Sequence, residues 1–216
     1  MQTLEAALER VDALRVEEVA DAIQTIGFLC TRCGACCSGS EDHPHTATIF
    51  PHEIRAIRDA RDVTWSEVAR PMPFGLDGGS GSTFEWALQT DDAGGCTFHA
   101  THGESGSRCS VYEDRPLICR TYPFGIDVES ARDRTEGVVR AEGVVVAYEC
   151  PGLGRDIGRE RAEQLAELLC HRSKRELEEA IAVRENYAAV PASEESIVVH
   201  DSEGAKGPDG SRITTD

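Results

Sequence analysis

Cys30-Thr31-Arg32-Cys33-Gly34-Ala35-Cys36-Cys37 places four cysteines within eight positions. A thiolate is a strong, soft ligand for zinc and for iron–sulfur clusters. Short spacers let one loop present several thiolates to one small volume. Such a loop is poor material for an apolar core. Gly34, between candidate ligands, supplies a backbone that bends to aim sulfur inward and N–H groups that bond to it. The stretch predicts a small, irregular, metal-organised centre with regular elements around it.

The run Cys30-x2-Cys33-x2-Cys36 shares its spacing with ferredoxin-type sequences, which then continue x3-Cys-Pro. Cys37, directly after Cys36, departs from that pattern. Neighbouring side chains diverge, so either Cys36 and Cys37 serve different metals or one of them stands behind the ligand shell. Further along, Cys96, Cys109, Cys119 and Cys150 each sit beside turn-forming residues, as in Gly94-Gly95-Cys96 and Cys150-Pro151-Gly152. Four plus four thiols suffice for two tetrathiolate sites, or for one cluster with supporting thiols. Cys170 lies in a helical stretch near Ala166 and Leu169 and reads as a core residue. Nine cysteines, an odd number, argue against a disulfide scaffold.

Around this centre the sequence predicts an α+β domain. Leu4, Leu8, Val11, Leu14, Val19, Ile23 and Ile26 trace one amphipathic helix over 1–27, ended by Gly27. Pro51 opens a second helix over 52–60, and Thr64 with Glu67 forms a capping box for a short third one through Arg70. Residues 75–82, rich in Gly and Ser, read as a flexible loop without the Lys-Ser/Thr of a phosphate-binding loop. Segments 83–89, 95–99, 108–112 and 138–148 read as short strands. Leu165, Leu169, Ser173, Leu177 and Ile181 mark a C-terminal helix, within 153–190, packed on the cysteine domain of 28–152. Residues 191–216 read as an acidic, disordered tail.

The formal charge is −17, from 39 acidic and 22 basic residues. That field repels phosphate backbones and anionic membranes, which excludes nucleic acid and membrane as general partners. Only Lys174 and Lys206 are lysines. Acid excess with scarce lysine looks like a salt-adapted, halophilic composition, or like an acidic protein from an arginine-favouring genome. Without an apolar leader at the start, the expected location is the cytoplasm.

The motifs extend beyond the cysteine run. Phe28-Leu29-Cys30 through Cys37 is followed by Gly95-Cys96-Thr97-Phe98 and Arg108-Cys109-Ser110-Val111-Tyr112-Glu113. Then come Arg115-Pro116-Leu117-Ile118-Cys119-Arg120-Thr121-Tyr122-Pro123-Phe124 and Cys150-Pro151-Gly152. Together, in this order, they resemble the YkgJ-type cysteine-cluster family, the CxxCxxCC zinc- or iron-chelating domain. The resemblance implies metal ligation by Cys30, Cys33, Cys36, Cys37, Cys96, Cys109, Cys119 and Cys150. It leaves the cofactor open between an iron–sulfur cluster, of the 4Fe–4S kind among others, and Zn2+. Family members are labelled Fe–S oxidoreductases or chelators, which implies a redox protein partner in the first case and a non-catalytic interaction or metal-handling module in the second. The related flagellin lysine N-methylases share the cysteine domain but are longer, and their activity is not carried over.

Arg115 and Arg120 flank Cys119, and either balance a thiolate centre by bonding to sulfur or pair with Glu113 and Asp114. Cys96-x2-His99-x2-His102 has a spacing that would add nitrogen ligands, although loop histidines are more often solvated. The pair in His43-Pro44-His45 reads as solvated.

Overall fold

The N-terminal apolar row does not stay in one helix. In the computed structural model, which describes residues 3–77, 80–101, 107–128, 137–190 and 196–214, it breaks at Ala13. Helix α1 (Leu4–Asp12) is capped by Thr3, whose hydroxyl accepts the Ala6 N–H at 3.2 Å, and α2 (Val16–Ile26) restarts after Arg15. The periodicity holds the reason. From Leu14 to Val19 is a step of five, which a repeat of about 3.6 residues cannot keep on one face.

After a single 3-10 turn at Ala35–Cys37 come β1 (Thr48–Ile49), α3 (Pro51–Arg61), α4 (Trp65–Val68), β2 (Ala69–Pro71), β3 (Leu76–Asp77) and β4 (Ser80–Thr83). Next are β5 (Trp86–Leu88), β6 (His99–Thr101), β7 (Ser107–Cys109), α5 (Leu117–Thr121) and β8 (Phe124–Ile126). The chain finishes through β9 (Val138–Glu142), β10 (Val145–Tyr148), α6 (Arg159–Asn186), β11 (Ile197–Asp201) and β12 (Gly204–Lys206). Helices and short strands in small sheets make the fold α+β, as expected. Two compact units divide the chain, Met1–Cys36 with Leu117–Glu178, and Cys37–Pro116 with Glu179–Asp216.

In the first unit, α2 and α6 bury their apolar faces with the antiparallel sheet β8-β10-β9. Val19, Ile23, Ile26, Phe124, Val145, Leu165 and Leu169 form its core, each almost wholly withdrawn from water. Burial of such side chains contributes about 1.5–3 kcal/mol apiece. The 138–148 segment is a hairpin rather than one strand, turning at Gly143 with φ +57°. Arg172 ties α6 to the sheet by donating to Thr121 Oγ1 at 2.7 Å and to the Phe124 carbonyl at 2.9 Å.

The second unit holds α3, α4 and the sheets β1-β5-β2, β12-β11-β4-β3 and β6-β7. The Thr64–Glu67 capping box forms as expected, Glu67 accepting the Thr64 N–H at 2.8 Å, but the helix ends at Val68 and residues 69–71 pair as β2. The predicted loop 75–82 contains the hairpin strands β3 and β4. Of the expected strand 95–99 only His99 belongs to one, the first residue of β6, because Asp91 Oδ1 accepts the Ala93 and Gly95 N–H groups and curls the chain into a turn ahead of it.

The expected disordered tail is overturned between 197 and 206. Strand β11 runs parallel to β4 at the centre of a sheet and buries Val198 and Val199. Two charges of this segment are paired inside. Lys206 Nζ lies 2.8 Å from Asp201 Oδ2, both side chains 3% exposed, and Trp86 Nε1 donates to the same oxygen at 2.8 Å. Composition registers those charges as polar, whereas the fold neutralises them against each other.

Candidate metal centre

The approach of two distant segments builds the centre of the first unit. Gly27 ends α2 with φ +73°. Phe28 then bridges Leu153 antiparallel, the Leu29 N–H donates to the Gly152 carbonyl at 3.0 Å, and the Gly154 N–H donates to the Gly27 carbonyl at 2.9 Å. The Phe28 ring meets Phe124 edge-on at 5.6 Å and fixes the ladder to the core. Only glycine fits at 152, since a Cβ there would lie 2.4 Å from the Leu29 carbonyl oxygen. This ladder carries Cys30 and Cys150 on its two strands.

The sulfurs so gathered share one electrostatic environment. Burial pushes the Cys150 thiol up, the Gly152 N–H to its sulfur at 3.4 Å acts in the opposite sense, and negative charge on Cys33, Cys36 and Cys30 raises it further. Tyr122, whose hydroxyl donates to the Glu149 carbonyl, is also raised, first by burial and then by Cys150, Cys36, Glu149 and Cys33. A thiol raised by neighbouring thiolates stays ionised beside them only if a cation balances the charge. An all-sulfur set with a backbone N–H on one sulfur fits both zinc and an iron–sulfur cluster. Cys30, Cys33 and Cys36 are exposed, and among the described residues no three His, Cys, Asp or Glu side chains are drawn tightly enough together to hold a metal ion as they stand.

The division between units falls between Cys36 and Cys37. Cys37, Cys96 and Cys109 belong to the second unit, where the Cys96 N–H donates to the Cys37 carbonyl at 2.9 Å. His99 donates its N–H to the Cys96 carbonyl at 2.9 Å and stands opposite Cys109 in the β6–β7 register. Its spacing partner His102 lies outside the described residues. Cys119, half-buried on α5, belongs to the first unit. Among the described residues, which include all nine cysteines, no disulfide forms.

Of the flanking arginines, Arg115 donates to the Tyr112 carbonyl at 3.1 Å and stacks over that ring at 3.9 Å. Arg120 is exposed on α5. Cys170 packs against the first unit's core, where burial raises its thiol, as its helical setting predicts. His43 is exposed, and His45 is half-buried with its N–H on the Gly94 carbonyl at 2.7 Å. Sequence reasoning passed over Gly152 and Tyr122, although both lie inside quoted motifs. Cys-Pro-Gly marks a turn after a candidate ligand, and that is the signal that points to Gly152.

The CxxCxxCC family, described as "Putative zinc- or iron-chelating domain", matches residues 29–151, more than half of the chain. No curated protein and no solved structure matches. Among the described residues, no helix is long and apolar enough to cross a membrane.

Proposed function

The chain belongs to the CxxCxxCC family of zinc- or iron-chelating domains, and from that premise we propose that it holds an iron–sulfur cluster of the 4Fe–4S kind on Cys30, Cys33, Cys36 and Cys150 and serves in electron transfer. The observation that carries this reading is the ladder that brings Cys150 to the start of the Cys30–Cys36 run, where charge on Cys33, Cys36 and Cys30 raises its thiol. The pattern of the ligands supports it. A Cys-x2-Cys-x2-Cys run completes its cluster with a remote cysteine, and in ferredoxins the remote one precedes proline. Cys150-Pro151 has that form.

When bound, such a cluster supplies one-electron redox chemistry. The chain's own part is to hold four thiolates, to donate the Gly152 N–H to sulfur, and to bury one side of the centre, which together set the potential. The exposed run from Cys30 to Cys36 closes on the metal as it binds, so that binding free energy becomes local folding free energy. Cys37, Cys96 and Cys109 hold a separate metal in the second unit, and Cys119 supports the first centre. Arg120 adds positive charge beside Cys119, and a redox protein is the partner.

A zinc site on the same four sulfurs is the second reading. It is favoured by the lack of any oxygen or nitrogen donor in that set, the composition of a closed structural site. The protein is then an interaction or metal-handling module. Anaerobic purification followed by metal and sulfide analysis separates the two. The cluster reading predicts a brown protein with iron and acid-labile sulfide, bleached by dithionite. A colourless protein with stoichiometric zinc contradicts it.

A further inference from the structure

The second unit contains a cleft of about 680 Å³ between the C-terminal end of α3 and the turn that follows β12. That volume is in the range of small-molecule sites. Most of its charges are already committed. Glu203 is held by Arg55 at 2.6 Å and by Lys206 at 2.7 Å, and Asp209 Oδ1 accepts from Ser211.

Three of the lining groups left over are donors. Trp65 is 7% exposed, and its indole N–H is buried with no hydrogen-bond partner among the described residues. Arg58 Nε is buried in the same condition. The Arg212 guanidinium also lines the cleft, is exposed, and has no protein partner among the described residues. Buried donors are almost always satisfied in folded proteins, so two unsatisfied ones, Trp65 Nε1 and Arg58 Nε, on the lining of one cleft call for a ligand. The ring of Trp65 is fixed as well. Trp86 packs edge-on against it at 5.1 Å, Lys206 lies over it at 5.1 Å, and Gly210 presses so closely that a Cβ would fall 2.4 Å from the ring. A rigid indole N–H and two guanidiniums without protein partners supply donors that planar or tetrahedral oxyanions match.

We propose that this cleft binds a small molecule through an oxyanion, a carboxylate or a phosphate, held by the guanidiniums of Arg58 and Arg212 and the indole N–H of Trp65. Asp62 is a lining carboxylate with no partner among the described residues. It repels compact polyanions and restricts the ligand to one oxyanion group. This site is independent of the cysteine centre.

Trp65 and Trp86 are the only tryptophans, so intrinsic fluorescence reads the site directly. The full-length protein is titrated with sodium phosphate and, separately, sodium acetate, with ionic strength held constant by sodium chloride. A saturable change is expected with at least one of the two, together with a rise in Tm. The anion that saturates identifies the ligand class. Arg58→Gln and Arg212→Gln should each weaken binding about tenfold. Both should fold as the wild type does, because neither arginine has a partner to lose. Absence of a saturable change with both anions, or wild-type affinity in both variants, overturns the proposal.

Discussion

At residue 152 the absence of a side chain decides whether two strands can meet. The Leu29 carbonyl occupies the space that any Cβ would take, 2.4 Å away. Gly152→Ala therefore forces the 27–29 and 152–154 segments apart and moves Cys150 away from the Cys30–Cys36 run. The expected cost is about 1–3 kcal/mol, read as a lower denaturant midpoint with unchanged slope, together with weaker metal retention. The ligand candidates were legible in the sequence because thiol chemistry and short spacing speak without a fold. Gly152 and Tyr122 were not legible, because their roles come from a long-range approach that spacing does not encode. Arg115 shows the same limit, for its neighbours in sequence are Glu113 and Asp114 but its contacts are with Tyr112.

At the scale of elements, strand β11 shows where composition misleads. Ile197-Val198-Val199 is apolar enough to be a strand, yet the surrounding Ser, Glu, Gly and Asp conceal it. The charges at its end are partnered by Lys206 of the adjacent β12 and by Arg55 of α3 and Trp86 of β5, and no local window contains the last two. Glu203 makes this testable. Arg55 first, and Lys206 as well, hold its carboxyl at about 2 against an ordinary value near 4.5. A folded-state value depressed in this way contributes stability that is fully present above about 4.5 and is lost as pH falls toward about 2. Since Glu203 keeps partial contact with solvent, the contribution is on the order of 1–2 kcal/mol. Stability measured by denaturant across that window should fall more steeply for the wild type than for Glu203→Gln. Parallel pH profiles would contradict the assignment. The break between α1 and α2 was, by contrast, already present in the sequence as a step of five, and the surrounding regularity masked it.

For the whole molecule, the sequence indicated the α+β class and the family through ordered motifs, and it posed the adjacent cysteines Cys36 and Cys37 as a puzzle. Division of the chain into units between these two residues suggests an answer. Each unit is assembled from discontinuous segments, so the cysteines sort into Cys30, Cys33, Cys36, Cys119 and Cys150 on one side and Cys37, Cys96 and Cys109 on the other. No reading of spacing alone produces that partition, because it depends on which strands and helices close each core.

The central claim is that Cys150 completes the centre begun by the Cys30–Cys36 run, while Cys170 only fills a core. Metal content per chain after anaerobic purification tests it most directly, in the wild type, Cys150→Ala and Cys170→Ala. Loss of the first centre's metal from Cys150→Ala is predicted, with the wild-type content retained by Cys170→Ala. Full metal content in Cys150→Ala would contradict the account.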